Sequence, residues 1–517
     1  MSVLSAQVYP GQALGFIVLG SPLHYVLTRL KAEPRRFSKI DLIFDQFSPL
    51  TEPVILGLPD NGLRLRFDGP EQRLRLIEVL DFAKNHLTYK DKDIVRFSVL
   101  NQSGPAQTDG QSGPSFRHIY NRLLGPTFPG EYVEPENKTD IGTYVLSYPG
   151  IAFSFPLAKS HWSPEKDFVT LLSSSTSQSA SSMAIFHGKS WSDVRDSLYT
   201  SKFDMRDLFS VSSKGREQLR DEVKLIRIYG EGHLELLRSE GMQPFWIKLG
   251  LTSPQDLISN LGPPDAIFRK NDHRMSIHKS PLGVIGRLRK NNVRTHDEST
   301  DTDQSSSYTV TDDSESDEGA GEVNGSVTGE CFYNYFYQGF DILLSYSVAP
   351  SPCPPSKAHS MSKSSRENII PTDLSNRLVA TKLILHGNAP GSYTFNRHRR
   401  CRWEIKYLPN YGQDIMNSES PFHKIEKRLQ EEWKSIYKNS EEERAYQRGM
   451  VLNRDWGDSL GSSCELLGGW EENMIHKKTD LLDADNIKGP GNTNLYGFPG
   501  LVFEVMKNGF VSGLTIF

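Results

Sequence analysis

The residues best suited to chemistry in this chain are basic and close together: Arg397-His-Arg-Arg-Cys-Arg402. Arg397, Arg399, Arg400 and Arg402 put four guanidinium groups within six residues, and a guanidinium fork matches phosphate or carboxylate oxygens two at a time. A phosphoinositide headgroup or an acidic partner surface would suit such a patch. The same charges also suit a solvated strand edge, where they block edge-to-edge pairing. Nucleic acid fits less well, because aromatic residues are not interleaved at stacking distance and the whole chain is slightly acidic.

Other chemistry finds little support. His386, His398 and Cys401 approach one another in sequence, but a His/Cys metal site would need further ligands, and no cysteine pair has zinc spacing. The chain lacks a Walker loop, a dinucleotide-binding glycine fingerprint, a zincin motif and a nucleophile elbow. The expectation is a protein that is not an enzyme, with no catalytic residues, no metal and no cofactor.

The elements that must carry these residues show a recurring pattern. A glycine is followed by an apolar alternation four times: Gly62 to Phe67, Gly150 to Phe155, Gly339 to Leu344 and Gly500 to Val505. Period-two alternation predicts strands with one buried face. A second strand should follow each, at Leu74 to Val79, Val223 to Ile228, Thr381 to Leu385 and Phe510 to Phe517. Short helices ending in Leu-Gly should precede three of them. The clearest is Ser253 to Gly262, with a serine cap, proline at the first position and Asp256 to close a capping box. Ser462 to Gly468 and Ser115 to Gly125 repeat the logic, and Ser21-Pro22 opens a looser helix to about Leu30. Such self-similarity decides the fold class. The expectation is α+β: tandem divergent units, each a helix plus an antiparallel meander, merged into one β-rich core. The units fall at 1–100, at 115–240, at 245–405 with long insertions, and at 406–517 with a charged helix.

Polar segments interrupt the units. Asn101 to Gly113, Ser173 to Ser182, Thr295 to Thr328 and Val348 to Asn368 carry too little apolar surface to offset ordering entropy, so disorder is expected. The last two read as loops within one unit, since the strands on either side are needed for one sheet. Asp297 to Glu322 holds ten acidic residues and no Lys or Arg, so without it the net charge of −4 becomes +6. Ser314 and Thr309 each precede an aspartate by three, a spacing that acid-directed kinases favour, although a merely solubilising loop accounts for it too. From Pro421 to Gly449, Ile425, Leu429, Trp433, Ile436 and Tyr437 form one apolar stripe, which either packs on the sheet or docks a partner.

At 517 residues with mean hydropathy −0.48 and 37% hydrophobic residues, the chain has no run approaching a bilayer-spanning stretch of ~20 apolar residues. Its four scattered cysteines make no disulfide framework and suit a reducing compartment such as the cytoplasm.

Several runs resemble the phagosome assembly factor family. They are Asp60-Asn-Gly-Leu-Arg-Leu-Arg-Phe-Asp68 with Gln72 to Val79, Phe332-Tyr-Asn-Tyr-Phe336 with Gly339 to Leu343, Leu385-His-Gly-Asn-Ala-Pro-Gly391 with Tyr393 to Asn396 and Arg400-Cys401, and Asn492-Thr-Asn494 with Phe503 to Asn508. The resemblance runs in order along almost the whole chain, departing at the two long polar loops and near the charged helix. It implies a cytoplasmic, non-enzymatic adaptor of autophagy that pairs with a WD40-propeller protein and gathers at the phagophore assembly site, peripheral to membranes that carry phosphoinositides. Traffic from the Golgi to the cell surface is the alternative it implies. The single units also resemble the helix-and-meander module of bacterial outer-membrane assembly lipoproteins, a likeness of fold alone.

Overall fold

The computed structural model describes residues 4–95, 113–135, 140–173, 179–200, 222–238, 242–269, 329–346, 377–408, 415–437, 439, 441, 449–452 and 493–517. Of the four polar segments, Thr295 to Thr328 and Val348 to Asn368 fall wholly outside these, Asn101 to Gly113 all but its last residue, and Ser173 to Ser182 for half its length, its last residue opening a strand. The helix expected at Ser462 to Gly468 also lies outside.

The class is α+β, and the described residues form four sheets that are almost entirely antiparallel. The first half opens with β1 (Leu4–Tyr9), β2 (Ala13–Leu14) and β3 (Ile17–Val18), followed by a helix at Leu23–Lys31. A meander of β4 (Asp41–Ile43), β5 (Val54–Leu58), β6 (Leu63–Phe67) and β7 (Leu74–Val79) comes next, then β8 (Asn85–Tyr89), which returns parallel to β1, and β9 (Lys92–Asp93). After a helical turn at Phe116–His118, a second meander runs through β10 (Glu131–Val133), β11 (Ile141–Tyr148), β12 (Ile151–Ala158) and β13 (Ser182–Phe186). β13 pairs with β7, which fuses the two meanders into one eight-stranded sheet.

The second half follows the same order. β14 (Leu225–Ile228), β15 (His233–Leu237) and β16 (Phe245–Lys248) precede a helix at Pro254–Leu261. Then come β17 (Ala266–Arg269), β18 (Cys331–Tyr335), β19 (Phe340–Tyr346) and β20 (Leu378–His386). β21 (Trp403–Ile405) lies parallel to β14, as β8 does to β1. A helix at Phe422–Trp433 leads to β22 (Met450–Leu452), β23 (Thr493–Phe498), β24 (Leu501–Val505) and β25 (Val511–Ile516), and β25 pairs with β20.

The four glycine-led runs are the third strands of the four meanders, β6, β12, β19 and β24. Gly62, Gly150, Gly339 and Gly500 all have φ between 60° and 88°, the left-handed region that glycine enters without a Cβ penalty. The turn into each strand therefore needs glycine. Burial alternates along β6, with Leu63, Leu65 and Phe67 inward, while Arg64 and Arg66 face out and bracket Glu78 at 2.7 Å each. Bulges interrupt the register at Arg66/Phe67, Leu343/Leu344 and Glu504/Val505, the same place in three of the four strands. The capping box at Ser253 and Asp256 is present, with both reciprocal hydrogen bonds.

Three sequence expectations are corrected. The expected unit is a helix and three strands, but each meander has four, because the edge strands β4, β10, β17 and β22 are too short to show an alternation. Val223 to Ile228 does not complete the second meander. Its strand, β14, pairs with β15 and β21 in a separate sheet, and Ser182–Phe186 takes the place assigned to it, so the 115–240 unit closes before Val223. The helix before the fourth meander is the charged one, near which the family resemblance departs, and it belongs to the unit. Phe422, Ile425 and Leu429 are buried in the second core, so its apolar stripe packs inward, whereas Ile436 beyond its end is exposed.

Two large hydrophobic clusters fill the halves. One gathers Leu23, Leu65, Phe67, Phe116, Phe153 and Phe155. The other gathers Leu257, Phe340, Leu383, Trp403, Ile425 and Phe503. In each half the small sheet and the helices cover the inner face of the large sheet. A polar seam lies between the halves.

A polar junction between the halves as candidate site

The seam is built mostly from the connection between β20 and β21, residues 387–402. It holds all four arginines of the basic run. The structure turns Arg399 and Arg400 inward and leaves Arg397 and Arg402 partly exposed. Arg399 donates to Glu222 at 2.5 Å, and Arg73 reaches the same carboxylate at 2.5 Å, all three side chains being under 10% exposed. Arg400, 1% exposed, donates to the Pro70 carbonyl at 2.7 Å, to the Gly387 carbonyl at 2.8 Å and to Glu419 at 3.1 Å. Arg402 shares Glu419 at 2.9 Å and reaches Glu71 at 3.3 Å. Arg397 lies over the Tyr393 ring at 4.8 Å. Arg399 and Arg400 therefore leave the expected phosphate-receiving patch: a buried guanidinium is held by carboxylates and carbonyls because leaving it unpaired costs several kcal/mol. These two cannot face a membrane, whereas Arg397 and Arg402 stay partly exposed.

The carboxylates respond to this placement. Burial alone would raise the Glu222 carboxyl, but Arg399 and Arg73 beside it hold it below the usual range. Burial opposes the ionised form of Glu419 likewise, and Arg400 and Arg402 outweigh it.

Sequence reasoning missed Asp341, the second feature of the seam. Its Oδ2 accepts from His386 Nε2 at 2.8 Å and its Oδ1 from His398 Nε2 at 2.9 Å. The two imidazoles stack with centroids 3.7 Å apart and 10° between planes. Burial pushes the Asp341 carboxyl up, yet the two hydrogen bonds from the histidines hold it well below the ordinary carboxylate range. His398 is lowered by burial. His24, from the first half, is lowered by burial to about 4 and contacts the Asn396 carbonyl through Nδ1 at 3.1 Å. The only signal in the sequence was a carboxylate inside an apolar strand run, Gly339-Phe-Asp-Ile-Leu.

Asp341, His386 and His398 are the one set of three or more His, Cys, Asp or Glu residues among the described residues whose ligand atoms all lie within 4.8 Å of one another. Coordination by imidazole uses a lone pair in the ring plane. Rings stacked face to face aim those lone pairs side by side, not at a common point, so an ion could not take both nitrogens without breaking the stack. The arrangement is a carboxylate clamp on two imidazoles. Cys401 takes no part as a ligand: its thiol is buried and pushed up to about 12 by that burial, and its backbone N–H donates to the His386 carbonyl at 2.8 Å.

Together these features define a double α+β sheet protein whose densest polar chemistry is structural, spent on joining two halves. The chain belongs to the phagosome assembly factor 1 family, whose model matches residues 13–292 and 372–517 and so spans both halves and the seam. The stretch between the matched regions contains the two long polar loops, while the charged helix lies inside the second. The PHAF1 protein of Arabidopsis thaliana is 23% identical over 515 residues, covering 98% of this chain and 92% of its own. That of Caenorhabditis elegans is 23% identical, with 97% and 90% covered, and that of Drosophila melanogaster 22%, with 100% and 94%. No solved structure matches.

Proposed function

We propose that this protein is a non-enzymatic adaptor of autophagy, one that binds a WD40-propeller protein and is recruited with it to the phagophore assembly site from the cytoplasm. The observation that carries this reading is a match to a family described as a phagosome assembly factor that extends through both halves of the fold. The internal pairing of Arg399, Arg400, Asp341 and His398 supports a scaffold role, because those groups are committed to holding the chain together. No helix among the described residues is long and apolar enough to cross a membrane, which suits peripheral recruitment through a partner. We further infer that the four helix-and-meander units descend from one module by duplication, with rigid sheets as the docking surfaces.

Membrane reading through Arg397, Arg399, Arg400 and Arg402 is set aside, since two of the four are fully enclosed. Golgi-to-surface traffic is the alternative that the family likeness leaves. Affinity purification of the tagged chain from cells, followed by mass spectrometry, tests the proposal. A propeller protein should be an abundant partner, and the tagged chain should form starvation-induced puncta with autophagic markers. Partners confined to Golgi carriers, with no propeller protein, would refute it.

A further inference from the structure

The outer faces of the two large sheets correspond residue by residue. In the first, Glu78, Ala184 and Ala152 lie side by side on β7, β13 and β12. In the second, Ile384, Thr515 and Val502 lie side by side on β20, β25 and β24. Val145 opposite Ser154 corresponds to Leu495 opposite Glu504. The Phe186 N–H donates to the Gly150 carbonyl, and the Phe517 N–H donates to the Gly500 carbonyl, so Phe517 holds the place of Phe186. Lys382, the neighbour of Leu383 on β20, stands where Leu76 stands on β7.

The two faces differ in what covers them. On the first, residues 188–200 cross the sheet, and Trp191, Val194, Leu198 and Tyr199 pack on Leu76, Val145, Ala152 and Phe186 as a separate hydrophobic cluster. Arg195 anchors the crossing segment to Glu131 at 2.9 Å. On the second, Leu495, Val502 and Phe517 join no hydrophobic cluster of described residues, and Phe517 is 51% exposed. Its apolar residues stand among Thr515, Glu504 and Lys382, a mixed surface of the kind that residues 188–200 cover on the matching face.

We propose that the outer face of the second large sheet, centred on Val502, Leu495, Phe517 and Lys382, docks a short amphipathic helical segment of a protein partner. The occupant's chemistry follows from the segment seated on the matching face. It carries an aromatic and two aliphatic residues at the i, i+3 and i+7 spacing of Trp191, Val194 and Leu198. Because an exposed lysine replaces Leu76 at the centre, the occupant also carries a carboxylate, as Asp193 and Asp196 would supply. This surface deepens the adaptor reading and rests on it for the identity of the partner, but the binding chemistry can be tested separately.

The probe is a fluorescein-labelled peptide of residues 189–200 bearing a photo-crosslinker, added to the full chain. Saturable one-to-one binding is expected, with crosslinks at β20, β24 and β25, and charge reversal by Lys382→Glu should weaken it about tenfold. Val502→Asp should act likewise, and Lys382→Glu, at an exposed position, separates lost binding from lost folding. No saturable binding, equal affinity for both variants, or crosslinks on β7, β12 and β13 overturns the proposal. Capture of a propeller protein is measured on the same variants. If capture persists while the peptide fails to bind, only this surface falls; if the peptide binds and maps as expected while no propeller protein is captured, only the adaptor reading falls.

Discussion

Gln72 and Asn388, 316 positions apart, exchange two hydrogen bonds. Gln72 Nε2 donates to the Asn388 carbonyl at 2.8 Å, and Asn388 Nδ2 donates back to Gln72 Oε1 at 2.8 Å. Both residues have positive φ, 51° and 44°, and both are buried. Each sits in a loop whose conformation only the other half justifies, so the pair acts as a two-sided latch between the halves.

Truncating either partner strands a buried amide in a strained backbone. Gln72→Ala or Asn388→Ala should each destabilise the chain by about 1–3 kcal/mol. A double-mutant cycle by urea denaturation should show coupling of about 0.5–3 kcal/mol. Additive effects would mean that the latch is incidental to stability.

The triad around Glu222 should be less forgiving. Arg399→Ala leaves Glu222 facing Arg73 alone and is expected to cost about 3–5 kcal/mol. Arg397→Ala, at the Tyr393 ring, should cost under about 1 kcal/mol. Thermal unfolding of the two variants checks the ranking, and similar losses would show that the run is not divided into inner and outer arginines.

Acidification should loosen the seam. A histidine whose folded pKa lies below 6.5 binds fewer protons folded than unfolded, so stability falls as pH drops below 6.5. For His24 the window runs from 6.5 to about 4, with a full loss on the order of 3 kcal/mol; His398 acts in the same direction. Asp341, depressed in the folded state, adds stability that is present above its unfolded value near 3.8 and lost only in stronger acid. Urea midpoints measured from pH 7.5 to 4.5 should decline, and His24→Gln should flatten the decline. An unchanged slope in that variant would remove His24 from the account.

The four strand-leading glycines should not respond alike to alanine. A Cβ at Gly150 would lie 2.2 Å from the Gly11 nitrogen, and one at Gly339 would lie 2.4 Å from the Arg399 carbonyl oxygen. Both collide with backbone that cannot yield cheaply. At Gly500 the nearest atom is 3.4 Å away, so only the positive φ resists, at about 1 kcal/mol. Calorimetry should therefore place Gly500→Ala well above Gly150→Ala and Gly339→Ala in melting temperature.

The sequence alone determined the four glycine-led strands, the capped helices at Ser253 and Ser115 and the α+β class, because strand alternation, caps and positive-φ turns are written in neighbouring residues. The charged helix could be read as amphipathic, although not as the helix of the fourth meander. Tertiary structure alone decided which strands share a sheet, as with β14, whose alternation is as clear as that of β13 but whose partners lie in β15 and β21. It also decided the fate of the arginines. Local sequence cannot tell an exposed guanidinium from a buried one, since the difference lies in carboxylates such as Glu222, Glu419 and Asp341 that only folding brings to the basic run and its histidines.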